Sequence, residues 1–462
     1  MTNTTGHVAV IDIGKTDAKL ALVALSDLSE IAVRIRPNHV LTAPPYPHFD
    51  TEQIWEFLLD ALTKFHAAYG IDGISVTAHG ACAALLGTDG GLATPILDYE
   101  HDGPDGVAQD YDALRPTFDQ TRSPRLAMGL NLGAQLYWLF RNDPTLLDRT
   151  ATIVTYPQYW GHRLTGVAAT DMTSLGCHTD LWNPHEGRFS ALVERLGITD
   201  RIAPARRPGE VIGPILPAIA ARTGLRPETP VLCGIHHSNA SLLPHVLGNR
   251  PPYSLVSTGT WVIAMAIGGQ PVAPDPARDM LINVNALGQP VSSARFLGGR
   301  EHDLIAGDRS TEVSEEILRA VLVDGPMLLP AVEPGSGPFR GRQARWIGTE
   351  PAAGSPERYA ALALYLALVT EVCLSGIGHQ GRIIVEGPFA ANRPYLRMRV
   401  AATGCAVSTS RSATGTSQGA AQLWRGAALK SPEAELPFDP MKDAFIAYGV
   451  RWTQHVNEKA TA

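Results

Sequence analysis

The chain has little cysteine, five residues in 462. Cys82, Cys177, Cys233, Cys373 and Cys405 lie far apart in apolar company, with no paired spacing. That excludes a disulfide framework or a zinc-binding arrangement, and the thiols read as small core residues of a reducing compartment. Basic excess is also lacking. With 38 Lys and Arg against 45 Asp and Glu, the net charge is −7, so the electrostatic footprint of a nucleic-acid binder is missing. The N-terminus, MTNTTGHVAV, has no basic stretch followed by an apolar one, and no secretory signal is expected. The most apolar helix candidate, Tyr359 to Leu374, meets Glu371 before it can cross a bilayer. Ser355 as N-cap and Pro356 at the first helical position make it a buried core helix instead. These absences predict a soluble cytoplasmic protein with neither nucleic acid nor membrane as partner. Oligomeric state is silent, and a homodimer stays open.

What is present is material for a sizeable core: 45% hydrophobic and 18% charged residues. At this length two or three domains are expected. The first ordered piece, HVAVIDIGKTDAKLALVAL, is an apolar strand running into a tight turn and out along a second strand, Ala18 to Leu25. In the turn, Gly14 lets a bound group approach the backbone, and Lys15, Thr16 and the turn N–H groups can face phosphate oxygens. Asp12 at the strand end can hold a hydrated Mg²⁺ beside them. A plain glycine turn has the same appearance. The device recurs at YSLVSTGTWVIAMAIG, Tyr253 to Gly268, with Gly259 where Gly14 stands before. Two such hairpins predict a duplicated architecture with one phosphate turn in each half.

Between them, Asp50 to Tyr69 is an amphipathic helix with Ile54, Phe57, Leu58, Ala61, Leu62 and Phe65 on one face. Ile71 to Val76 is a strand leading to Thr77-Ala78-His79-Gly80. Thr94 to Pro104 reads as a strand opening into carboxylates and His101, suited to hydroxyl groups but equally to an acidic surface loop. Pro and Gly crowd Pro204 to Pro230 and place the domain boundary there, giving domains 1–230 and 231–462. A second such run, Gly325 to Arg342, reads as a long surface loop. Near the end, Ile383 to Val385 is a strand breaking at Gly387 into a turn with Asn392. Ala413 to Trp424 begins a closing helix.

The stretch VLCGIHHSNASLLPH, Val231 to His245, carries the chemistry. An apolar strand meets His236, His237, Ser238 and Asn239, and Ala240 to Leu247 continues as a helix capped by Ser238 or Asn239. Strand and helix can hold a polar cluster rigidly at such a junction. The bland alternative is a capped helix with two surface histidines.

The order of IDIGKTDAK, TAHG, RLTG, GEVIGPILPAIAARTGL, PVLCGIHHSNAS, STGTW, IIVEGPFAANRPYLRMRVAATGCAVS and SQGAA resembles the FGGY carbohydrate kinases over most of the chain. The HHSNAS and STGTW wording looks nearest to rhamnulokinase-like members. The resemblance implies two actin/hexokinase-like (ribonuclease H-like) α/β domains with a ligand cleft between them. It also implies a kinase that takes ATP and Mg²⁺ and phosphorylates a small sugar: a ketose, deoxyketose or polyol. Carried over, it sets Gly14, Lys15, Thr16 and Lys19 at the ATP phosphates, with Asp12 near the metal. Gly259 and Thr260 meet the phosphates from the second domain, and Gly387 and Asn392 the nucleoside. His79, Gly80, Glu100, His236 and Ser238 face the sugar. The family places an Asp general base after the residue matching His236, where this chain has His237.

A neutral histidine can accept the hydroxyl proton, so the first reading is a sugar kinase with His237 as its base, impaired relative to a carboxylate. The second is a catalytically inactive member that still binds sugar or nucleotide. A third, an actin-like ATPase, would share the two turns but not TAHG.

Overall fold

The computed structural model describes residues 5–307, 312–410, 415–427, 433–436 and 439–458. The chain forms two compact units. The first takes in the chain up to Gly248, the segment Ile282–Pro290 and the helix Thr416–Arg425; the second begins at Asn249 and holds the remainder.

In the first unit, both faces of strand His7–Ile13 are covered, and it is apolar on both except for Asp12 near its end. It pairs antiparallel with Asp17–Ala24 and parallel with Gly73–Ala78. Ala9, Ile11 and Ile13 point to one side, where helix Thr51–Tyr69 packs Ile54, Leu58, Leu62 and Phe65. That helix starts where Asp50 accepts the Gln53 N–H at 3.2 Å. Val8 and Val10 point to the other side, against Ala240 and Leu243 of helix His237–Gly248 and Ala420 and Ala421 of helix Thr416–Arg425.

Those two helices touch through Gly419, where a Cβ would lie 1.8 Å from the Ala240 carbonyl oxygen. Gly419→Leu should therefore push the helices apart and lower stability by about 3 kcal/mol or more, as overpacking in a tight core does. Urea unfolding checks this; a midpoint within error of the parent would refute the contact.

The expected boundary at 230/231 is displaced. Strand Val211–Pro214 pairs with Pro230–Leu232, which, like Ile235–His236, pairs with Gly73–Ala78, so the Pro/Gly-rich stretch belongs to the first sheet. The division falls after Gly248. The helix begins at His237, not Ala240, and continues through Pro244. The expected strand at Thr94 to Pro104 is irregular chain with an isolated bridge at Leu97. The run from Gly325 is not all surface loop, since strand Met327–Leu329 is buried and pairs with Arg345–Ile347.

The second unit repeats the wiring. Strand Tyr253–Thr258 pairs antiparallel with Val262–Ile267 and parallel with Arg382–Glu386, and Val262–Ile267 pairs antiparallel with Pro290–Phe296. Its core is built on helix Pro356–Gly376, started by Ser355 Oγ, which accepts the Arg358 N–H at 3.2 Å. By length and composition this is the one helix among the described residues that could cross a membrane, yet Ala360 to Val369 are all buried in the unit.

Glu301, 2% exposed, accepts hydrogen bonds from Tyr365 Oη and the Glu333 N–H, each at 3.0 Å. Burial pushes its carboxyl up from 4.5 to about 7. A raised acid pKa means the folded state holds the proton longer than the unfolded state, so stability from this group is full below about 4.5 and lost as pH rises through about 7. Glu301→Gln should match the parent at pH ~4.5 and exceed it at pH ~8 by up to about 3 kcal/mol. Urea melts of both proteins at the two pH values read this directly; a difference independent of pH would refute it.

Candidate active site

The two-residue period of a strand sets Asp12 on the same face as Val8 and Val10, beneath the helices that begin at His237 and Thr416. Asp12 is 7% exposed. Its Oδ1 lies 2.7 Å from His237 Nε2, a close charge contact off the line of an ideal hydrogen bond. Its Oδ2 accepts from the Thr416 hydroxyl and from Ser417 Oγ at 3.1 Å. Burial pushes the Asp12 carboxyl up, but His237, Thr416 and Lys19 together outweigh it and hold the group below its ordinary value. The result is a carboxylate that stays charged against an imidazole.

The turn after Asp12 is pinned by a residue the sequence did not flag. Asn38 donates its side-chain N–H to the Gly14 carbonyl at 2.8 Å and its backbone N–H to the Thr16 carbonyl at 2.7 Å. Gly14 faces His237, whose Cε1 would be 3.9 Å from a Cβ there. Thr16 is exposed and bonded to Asp17 at 3.1 Å. Lys19 stands opposite Asp12 in the strand register and pairs with Glu30 at 2.7 Å. Lys15, expected at the phosphates, is turned the other way, onto Asp98 and Glu100.

That side of the unit gathers the expected sugar residues. His79 is boxed by Phe49, Tyr99 and Tyr156, with ring centroids 5.4, 5.0 and 4.6 Å away, and neither of its ring nitrogens has a hydrogen-bond partner. Burial first, then the nearby His237, His236 and Lys15, hold its pKa well below the ordinary value, so it is neutral. His236 packs over Gly80, where a Cβ would lie 2.3 Å from its ring. Burial brings His236 down to about 3. Ser238, by contrast, is exposed on the helix's first turn.

In the second unit, Gly259, Thr260 and Asn392 line a cavity of about 670 Å³ with Gly299, His302, Tyr359, Phe389, Arg393 and Arg397. Asn392 also caps the helix Arg393–Thr403, accepting the Tyr395 N–H at 3.1 Å. Gly387 is not among those wall residues. It shapes the turn behind them, with φ +80° and a Cβ position 1.9 Å from the Thr258 carbonyl oxygen. Gly299, His302 and Phe389 were missed, although Gly298-Gly299 is a visible signal: a Cβ at Gly299 would lie 2.0 Å from the Gly259 carbonyl oxygen. Room, backbone turns and flat rings fit a nucleotide here.

A protein-built metal site fits less well. No group of three or more His, Cys, Asp or Glu side chains among the described residues could hold an ion. Asp12 is already engaged at both oxygens.

Comparison with known proteins supplies the context. The profile of the FGGY family of carbohydrate kinases, N-terminal domain, matches residues 7–244, and that of the FGGY carbohydrate kinase C-terminal domain matches 250–433. The crystal structure of a carbohydrate kinase from Novosphingobium aromaticivorans superposes with a TM-score of 0.90 at 38% identity, covering 99% of both chains. L-Fuculokinase of Escherichia coli K12 is 30% identical over 211 residues, 45% of this chain and 43% of that enzyme. Rhamnulokinase of Bacillus subtilis is 29% identical over 144 residues, 31% of this chain and 29% of that enzyme. The chain thus spans under half the length of those two relatives.

Proposed function

Because the chain belongs to the FGGY family of carbohydrate kinases, we propose that it moves the γ-phosphoryl group of ATP to a hydroxyl of a small ketose, deoxyketose or polyol. The observation that carries this reading is the contact of His237 Nε2 with the charged Asp12. The Asp12 carboxylate beside Nε2 favours the tautomer that carries its proton there, which leaves Nδ1 as the basic nitrogen to accept the acceptor hydroxyl's proton. Asp12, fixed by Thr416 and Ser417, holds the ring in that tautomer and stabilises the imidazolium that forms. ATP supplies the phosphoryl group and the leaving group. The backbone around Gly259, Thr260 and Gly299 receives its phosphates, and His302, Tyr359 and Phe389 offer ring faces to the base. Asp12 would be the residue nearest a Mg²⁺ ion carried in by ATP, and that ion would supply charge neutralisation at the phosphates. The absence of a disulfide among the described residues fits a reducing compartment such as the cytoplasm.

L-Fuculose and rhamnulose, the sugars the two relatives are named for, head the acceptor panel, followed by xylulose and simple polyols. Acceptor-dependent ADP release with one of them is expected. Binding of sugar and ATP without any such release across the panel would establish the inactive reading instead.

A further inference from the structure

Lys15 sits one residue past Gly14, yet its ammonium group lies among the sugar-side residues. It contacts Asp98 Oδ1 and stands 3.0 Å from Glu100 Oε2, over the rings of Tyr99 at 4.9 Å and Phe49 at 5.4 Å. Those two rings also flank His79, the imidazole with both nitrogens unpartnered. Lys15 and Asp98 are mostly buried, at 20% and 10% side-chain exposure, while Glu100 is half exposed.

From this geometry we infer that Lys15 is a specificity-determining residue of the acceptor pocket and not a phosphate ligand. The pocket selects an uncharged polyhydroxylated acceptor over the aldonate of the same carbon skeleton. The inference rests on the kinase reading for the pocket's purpose, but not on turnover. The chemistry follows from the groups present. An ammonium offers three donors, two carboxylates accept, and a neutral imidazole does one of each, so hydroxyls of a neutral sugar can be satisfied in either direction. One ammonium against two carboxylates leaves a net charge of −1, and a carboxylate brought among them meets like charge in a half-dry site.

The test is binding, measured by calorimetry without turnover. The probes are rhamnulose, xylulose, D-gluconate and a non-hydrolysable ATP analogue. The parent should bind a neutral sugar and bind gluconate at least ~10-fold more weakly. Lys15→Met keeps the aliphatic stem on Tyr99 and Phe49. It should weaken the neutral sugar by about 10- to 100-fold, the range of a lost charged hydrogen bond, with the ATP analogue within about twofold. A thermal melt that matches the parent's shows that this variant is folded, and loss of sugar binding in a protein that melts early would not count for the assignment. Glu100→Gln, at a half-exposed site tolerant of change, should narrow the preference for neutral sugar over gluconate. Weakened analogue binding with unchanged sugar binding in Lys15→Met would overturn the assignment. So would equal or tighter gluconate binding by the parent, or an unchanged preference in Glu100→Gln. Failure of acceptor-dependent ADP release alone would strike the kinase reading and leave these binding results standing.

Discussion

His237→Ala should lower kcat by about 10²- to 10⁴-fold, the usual worth of a positioned general base, while sugar and nucleotide still bind. The imidazole makes a contact at Asp12 that alanine cannot make, and water entering the gap lacks a fixed orientation. His237→Asn, which keeps polarity but has no basic nitrogen, should fall as far. His237→Asp should instead exceed the parent rate. It restores the carboxylate that the family resemblance implies at this position, and a carboxylate stays deprotonated beside phosphates. One cost opposes it, because an aspartate at 237 faces Asp12, and two carboxylates in contact favour protonating one of them. The shorter side chain and the hydroxyls of Thr416 and Ser417 on Asp12 reduce that cost. Steady-state ADP release with the sugar the parent uses best, alongside calorimetric binding, separates the outcomes. A parent-like rate in His237→Ala would remove residue 237 from proton transfer and with it the placing of the chemistry at this junction.

How far the site could be read in advance follows from how local each feature is. The two hairpins were legible because strand alternation and a glycine turn are written in consecutive residues, and the Ser355-Pro356 start of the core helix is equally local. The domain boundary was not. Proline and glycine between Pro204 and Pro230 look like a linker, but Val211–Pro214 and Pro230–Leu232 are strands near a sheet edge, where missing N–H groups are tolerated. What joins them to the first unit is pairing with Gly73–Ala78, which no local pattern reports. The same limit hid Thr416, bonded to Asp12 from 404 residues away. Lys15 fails differently. Its turn was foreseen, but a long side chain at a turn can point either way, and only Asp98, Tyr99 and Phe49 decide the direction.

Gly259→Val should abolish measurable ATP binding, a loss of at least about 100-fold or roughly 2.7 kcal/mol, in a protein that folds as the parent does. Both halves of that expectation come from the surroundings of the residue. Beyond its chain neighbours, a Cβ on Gly259 is near only the Trp261 carbonyl oxygen, at an ordinary 3.9 Å, so a side chain can start there without displacing the fold. The space it fills is the cavity lined by Thr260, Gly299 and Phe389, where the backbone must come close to a bound phosphate. Gly14→Val is less clean, since a Cβ there lies 3.2 Å from the Asp17 carbonyl oxygen and beside His237, so lost activity would have two causes. Gly299→Val is the contrasting control. Its Cβ would overlap the Gly259 carbonyl oxygen at 2.0 Å, and it should lower the melting temperature as well as binding. Calorimetry with a non-hydrolysable ATP analogue and thermal melts distinguish the two variants. Sugar affinity should be untouched in Gly259→Val, since the acceptor pocket is built from the other unit. Normal analogue affinity in a folded Gly259→Val protein would mean that this turn does not meet the phosphates.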